Sequence, residues 1–156
     1  MDIFAAAEKG EVSLIAGYLT VDPALVNKHR EDGWTALHLA AYYGQTETVA
    51  MLLAHGADVN IRSTNAMENT PLHAAVAGRR FEVVQVLLEN GIDVNAAQHG
   101  GWTALQGAAN HGDSKLVELL LNHGADSGAV SENGSTALSL AAAGNHTGTV
   151  ELLSRK

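Results

Sequence analysis

Histidine has the widest chemical range of any residue type in this chain, because imidazole can bind metals and transfer protons near neutral pH. Among the eight histidines, His38 and His73 each follow a threonine by three residues, whereas His55 and His123 each precede a glycine. A zinc or similar site needs three or four converging ligands, and no His-Glu-x-x-His or comparable spacing occurs. The sequence therefore predicts no metal site and no cofactor.

Two glycine-containing stretches resemble parts of enzyme motifs but lack the groups that do the chemistry. Gly112-Asp113-Ser114 is not part of a G-x-S-x-G nucleophile elbow, and residues 144–149 lack the lysine and spacing of a P-loop. The chain has no cysteine, which excludes disulfides and thiol nucleophiles. We therefore predict no catalytic residues and no enzyme activity. A small-ligand binder or enzyme that uses His99 and His111 stays open as an alternative.

A repeat of about 33 residues organises the chain. Each copy opens on a threonine, with steps of 35, 33 and 33 residues between Thr35, Thr70, Thr103 and Thr136. A second phrase, glycine–apolar residue–aspartate, keeps the same steps and begins at Gly56, Gly91 and Gly124. Two landmarks that shift together indicate one repeated structural unit.

The phrase Thr70-Pro71-Leu72-His73 with this period is similar to the ankyrin repeat. The resemblance implies an all-α repeat solenoid of helix-turn-helix repeats with β-hairpin-like fingers, curved around a concave inner face. It covers the whole chain as a single domain, 1–156. Its predicted units are an N-terminal cap at 2–34, internal repeats at 35–69, 70–102 and 103–135, and a truncated C-terminal cap at 136–156.

Inside one repeat, the threonine suits the N-cap of a short first helix, because its hydroxyl accepts from an orphan backbone N–H. The resemblance implies that His38 is a structural clasp, bonding locally and to the neighbouring repeat. Gly44 is expected to end the first helix and Gly56 the second. Asn60 and Asn95 are expected to order their turns through bonds from side chain to backbone.

Three features depart from the repeat pattern: the length of one finger and the residue types at two positions. The finger between Asn60 and Thr70 is two residues longer than its counterpart in the next repeat. Arg79 stands where the glycine between the two helices is expected, and Gln106 replaces the clasp histidine. Such irregularities favour a natural sequence over an idealised design.

Composition and charge narrow the class of partner. The net charge is −8, and nucleic acids or anionic membranes require a basic face. No secretory signal or apolar run of membrane-spanning length is present. We therefore predict a monomeric cytoplasmic protein that binds neither nucleic acid nor membrane.

The resemblance to ankyrin repeats implies that partner contacts concentrate on the fingers and on the exposed ends of the first helices. Register along the repeat gives the predicted partner-binding positions as His29, Glu31, Asp32, Trp34, Tyr42, Tyr43, Arg62, Met67, Asn69, Ala77, His99, Trp102, Asn110 and His111.

Aromatic residues are the strongest indication within this set, since tryptophan and tyrosine are enriched in binding hot spots. Trp34 and Trp102 could instead be structural covers over the base of their fingers. Tyr42 and Tyr43 are adjacent in a helix, so at least one should be exposed. The acidic residues nearby favour a partner with an apolar anchor and basic residues.

The predicted function is accordingly a non-enzymatic protein-interaction module that acts as an adaptor, scaffold or inhibitor. A self-associating structural subunit, whose aromatic patch a second copy covers, is the other alternative.

Overall fold

Short paired helices make up the computed structural model, which describes residues 1–155. The first compact unit, Met1–Ile92, contains α1 (Ile3–Lys9), α2 (Val12–Val21), a 3₁₀ helix (Pro23–Asn27), α3 (Ala36–Tyr42), α4 (Thr46–Ala54), α5 (Pro71–Ala77) and α6 (Phe81–Glu89). The second unit begins at Asp93 and contains β1 (Ala97–Gln98), β2 (Trp102–Thr103), α7 (Ala104–His111), α8 (Ser114–Asn122), α9 (Ala137–Ala143) and α10 (Thr147–Ser154).

Each predicted unit of the sequence contains one helix pair, and the predicted end at Lys156 lies outside the described residues. In the first unit α3 lies between α1 and α5, and α4 packs against α2 and α6. In the second unit α7 packs on α8 and α9. The expected all-α repeat fold is thus confirmed, while the prediction of a single domain over 1–156 stays a prediction.

Small side chains allow the first helices to stack closely. Every residue from Ala36 to Ala41 is buried, and Leu37 and Ala40 are completely inaccessible to solvent. Leu52 of α4 completes this layer of the core. One helix pair could not bury both faces of its first helix by itself, so neighbouring repeats supply the core. None of the helices within residues 1–155 is long and apolar enough to cross a membrane.

Threonine caps fix the start of the first helix in four repeats. The hydroxyl groups of Thr35, Thr70, Thr103 and Thr136 accept from the backbone N–H three residues later. The side chain at that third position bonds back to the threonine N–H, which forms a capping box. The N-cap prediction is therefore confirmed, and this reciprocal pair explains why the threonine phrase recurs.

The fingers are hairpin-like, as expected. Ala97 and Gln98 pair with Thr103 and Trp102 in an antiparallel ladder, and an isolated bridge joins His29 to Thr35 in the first finger.

Asparagine side chains link successive repeats instead of ordering only their own turns. Asn95 Nδ2 donates to the carbonyl of Gly124 at 3.1 Å, and Asn95 Oδ1 accepts from the N–H of Asp126 at 2.7 Å. Asn27 makes the same pair of bonds, to Gly56 and Asp58. Asn27 was not predicted for this role, because it lies in the atypical first repeat.

Arg79 occupies a left-handed backbone conformation, with φ of +58°. Glycine holds the equivalent place at Gly44 and Gly112, where the missing Cβ removes the steric cost. We expect Arg79→Gly to raise the free energy of unfolding by about 1 kcal/mol, since relief of a strain of about 1–2 kcal/mol exceeds the added entropy of the unfolded chain. Urea denaturation followed by circular dichroism measures the change.

Arg79→Ala is the control for this prediction, because alanine removes the side chain but keeps the strained Cβ. A gain for Arg79→Ala equal to that for Arg79→Gly would contradict the backbone explanation.

Candidate binding groove

The first finger is a tight turn that places Trp34 beside Arg30. Gly33 N–H donates to the carbonyl of Arg30 at 2.9 Å, and Arg30 N–H donates to the carbonyl of Trp34 at 2.8 Å. Gly33 has φ of +91°, a conformation that L-residues rarely adopt. The two central residues of the turn, Glu31 and Asp32, therefore lie close to both Arg30 and Trp34.

Arg30 is held by two carboxylates, one from its own turn and one from α1. Its guanidinium lies 2.8 Å from Asp32 and 2.9 Å from Glu8, and 5.9 Å from the centre of the Phe4 ring. The hydrogen bond to Asp32, aided by Glu8, raises the pKa of Arg30, and the bond from Arg30 lowers the pKa of Asp32. Both groups stay charged, and the ion-pair network fixes the finger against α1.

Trp34 covers the buried clasp histidine. Its ring centroid lies 5.1 Å from that of His38 in an edge-to-face arrangement, and its main-chain N–H donates to Asp32 Oδ1 at 3.2 Å. The tryptophan is nevertheless half-exposed. Trp34 thus acts as the structural cover that the sequence left open while still presenting aromatic surface to solvent.

The clasp itself joins two repeats. His38 Nδ1 accepts from the N–H of Thr35 at 3.2 Å, and His38 Nε2 donates to the carbonyl of Asn69 at 2.8 Å. Burial penalises the charged imidazole and lowers the pKa of His38 to about 4. At neutral pH His38 is therefore uncharged, which confirms the structural role that the resemblance implied.

Tyr42 and Tyr43 both project from the end of α3, with exposed fractions of 42% and 44%. Their rings meet edge to face, with centroids 5.2 Å apart and planes at 90°. Arg80 Nε donates to the carbonyl of Tyr42 at 3.0 Å, which holds this end of α3 against the next repeat. The expectation that at least one of the two tyrosines is exposed is confirmed.

These side chains enclose a shallow groove of about 190 Å³. Its lining residues are Arg30, Trp34, Leu39, Tyr42 and Tyr43. Register along the repeat predicted the three aromatic residues but missed Arg30 and Leu39. Leu39 is only 5% exposed and lies in a helix whose residues from Ala36 to Ala41 are all buried, so its residue type does not mark it as part of a surface groove.

Among the other predicted positions in the first unit, His29 links the first finger to the second and Arg62 bonds within the second. His29 Nε2 donates to the carbonyl of Arg62 at 2.9 Å, and Arg62 donates to the carbonyl of Glu68 at 2.9 Å. Met67 and Ala77 are exposed, as predicted for surface positions.

Asn69 departs from its predicted surface position. It is only 8% exposed, because its carbonyl accepts from His38 and its N–H donates to Ser63 Oγ at 3.0 Å. The clasp therefore draws this residue inward, and the expectation that its side chain is exposed is wrong.

The remaining predicted positions belong to the second unit. His99, Asn110 and His111 are exposed, and Trp102 is half-buried in β2. The carbonyl of Asn110 accepts from His146 Nε2 at 3.1 Å. No group of three or more histidine, aspartate or glutamate side chains is placed to hold a metal ion in the part of the chain that the structure describes.

Comparison with known sequences agrees with this architecture. A family profile described as ankyrin repeats in three copies matches residues 3–98 and 96–156. The chain belongs to the ankyrin-repeat family. Ankyrin repeats are general protein–protein interaction modules, so the family favours a binding function and leaves the partner and the surface to be determined.

Similar proteins include three that contain this repeat within longer chains. The chain is 37% identical over 75 residues to a probable E3 ubiquitin-protein ligase XBOS31 of Oryza sativa subsp. japonica, covering 47% of this chain and 16% of that protein. It is 39% identical over 71 residues to the human NAD-capped RNA hydrolase NUDT12, and the match covers 46% of this chain and 15% of that protein.

The third protein, ankyrin repeat domain-containing protein 49 of Bos taurus, is 44% identical over 55 residues, covering 35% of this chain and 23% of that protein. The chain therefore spans less than a quarter of the length of these relatives. The ligase and hydrolase activities in the names belong to those proteins.

Proposed function

We propose that this protein binds another protein non-covalently through the aromatic groove and acts as an adaptor, scaffold or inhibitor. One observation carries the proposal. Trp34 from a finger and Tyr42 and Tyr43 from the end of a first helix converge on a single apolar groove. Large aromatic side chains contribute most of the energy at protein interfaces, because they bury much area with few rotatable bonds.

The groove is preorganised for binding. The Trp34 ring packs edge to face against His38 on a turn that its main-chain bond to Asp32 helps to fix, and the two tyrosine rings pack against each other. Binding therefore need not order these side chains from a flexible state, which lowers the entropic cost of association.

A paired pull-down from lysate, read by mass spectrometry, tests the proposal. The test variant is Tyr42→Ala/Tyr43→Ala, which removes two exposed rings while leaving the clasp and its Trp34 cover in place. The matched control is Leu14→Ala/Val21→Ala, which removes two side chains of α2 that are 40% and 88% exposed. Circular dichroism confirms that both variants fold.

We expect at least one protein that the native chain and the α2 control both retain and that the tyrosine variant loses. Loss of one hot-spot residue that contributes about 2 kcal/mol weakens binding by roughly 30-fold, and loss of both rings weakens it further. Equal retention by all three baits would contradict the proposed surface. Light scattering at several concentrations separates this result from self-association, for which the molecular mass would rise with concentration and fall in the tyrosine variant.

A further inference from the structure

We infer that the groove takes one uncharged apolar side chain from a linear segment of the partner, and that a neighbouring lysine or arginine of that segment pairs with Glu31. The inference rests on the proposed function and adds the chemistry of the partner to it.

The size and lining of the groove define the anchor. Its volume of about 190 Å³ lies below the roughly 300–1,000 Å³ typical of small-molecule sites. Leu39 and the rings of Trp34, Tyr42 and Tyr43 give it an apolar lining. Such a groove suits a single aliphatic or aromatic side chain.

Arg30 limits which side chain can enter. Its guanidinium lines the groove and would repel a cation placed inside it. It is also already paired with Glu8 and Asp32, so a carboxylate of the partner would have to displace one of these ion pairs. The anchor in the groove is therefore neutral.

Glu31 is an open carboxylate in the turn between two lining residues of the groove, Arg30 and Trp34. It lies in the turn from Arg30 to Gly33, whose ends are joined by a hydrogen bond of 2.9 Å. Its neighbour Asp32 already accepts from Arg30 and from the N–H of Trp34. Glu31 is exposed, and within residues 1–155 its side chain has no hydrogen-bond or ion-pair partner.

Charge around the groove is unevenly distributed. The turn 30–33 and its ion-pair partner Glu8 together carry three carboxylates, Glu8, Glu31 and Asp32, and one guanidinium, Arg30. Arg80 lies at the opposite end, bonded to the carbonyl of Tyr42. A bound segment would therefore place its basic residue toward the finger, where it meets the unpaired carboxylate.

A displayed library of random linear peptides tests this inference. Selection is carried out against the native chain, Glu31→Lys, Tyr42→Ala/Tyr43→Ala and Glu132→Lys. Glu132 is a matched control, because it is the exposed residue at the equivalent position of the last finger. The affinity of the enriched peptide for each protein is then measured by fluorescence anisotropy at low and high salt.

We expect the native chain to enrich peptides that carry an apolar residue close to a lysine or arginine. Glu31→Lys should lower the affinity for the selected peptide by about fivefold or more, with a smaller effect at high salt. Glu132→Lys should leave that affinity unchanged. The tyrosine variant should enrich none of these peptides.

Different results overturn the inference and the proposed function. Peptides that need the tyrosines but show no basic preference, or that bind Glu31→Lys equally well, would overturn the inference alone. If no peptide is enriched, the inference that the groove binds a linear segment is wrong. The pull-down then still decides whether the groove binds a folded partner. If the tyrosine variant still binds the selected peptides, the proposal that the groove is the binding surface is wrong.

Discussion

His38→Ala should lower the free energy of unfolding by about 4 kcal/mol. The imidazole is completely buried and joins the N–H of Thr35 to the carbonyl of Asn69 in the next finger. Its removal leaves a cavity and two buried polar groups without partners, and each of these effects costs about 1–3 kcal/mol. Urea denaturation at pH 7, followed by circular dichroism, measures the loss.

The same histidine should make stability depend on pH. The pKa of His38 is lowered by burial from 6.5 to about 4 in the folded protein. Between these values the unfolded chain takes up a proton that the folded chain does not, so stability is fully present above pH 6.5 and is lost as the pH falls. The full loss is about 3 kcal/mol near pH 4, and about 2 kcal/mol of it has occurred by pH 5.

His38→Gln is the matched control, and the fourth repeat supplies the precedent. There Gln106 accepts from the N–H of Thr103 at 2.9 Å and donates to the carbonyl of Ser135 at 3.3 Å, which reproduces the clasp with a group that does not titrate. We expect His38→Gln to retain most of the stability at pH 7 and to flatten its pH dependence between pH 7 and 5. An unchanged slope would show that other groups cause the acid sensitivity.

Gly33→Ala should destabilise the first finger by about 3 kcal/mol. The φ of +91° at this glycine is strained for alanine, and a Cβ would lie only 2.5 Å from the main-chain nitrogen of Asn65. This contact is between two backbones, since Thr64 N–H donates to the carbonyl of Gly33 at 3.0 Å. The fingers would have to separate, so strain of about 1–2 kcal/mol and overpacking of about 1–3 kcal/mol add together.

Gly134→Ala separates these two causes. Gly134 holds the equivalent place in the last finger with φ of +86°, but nothing lies within 4 Å of its added Cβ. We expect a cost of about 1–2 kcal/mol from the backbone conformation alone. Equal losses for the two variants, measured by urea denaturation, would contradict the close approach of the first two fingers.

Local rules made parts of the candidate site predictable. Adjacent helical residues point in different directions, so the exposure of at least one of Tyr42 and Tyr43 followed from their positions at the end of a short apolar helix. Trp34 could be placed on the finger because it directly precedes the capping threonine. Both inferences use only neighbours along the chain.

Long-range contacts decided the rest of the site. Arg30 became part of the groove because Glu8, in another helix, fixes its guanidinium, and no local pattern encodes that pairing. Asn69 was expected on the surface but is buried, because His38 reaches it across 31 residues of sequence.

The sequence by itself determined the repeat, its caps and the ankyrin family, because a period of about 33 residues and a threonine capping box are local patterns that recur. Only the tertiary structure decided which side chains share the groove and which carboxylate of the neighbouring turn stays unpaired. Those outcomes depend on distances between separate repeats, and a one-dimensional pattern contains the residue types but not the distances.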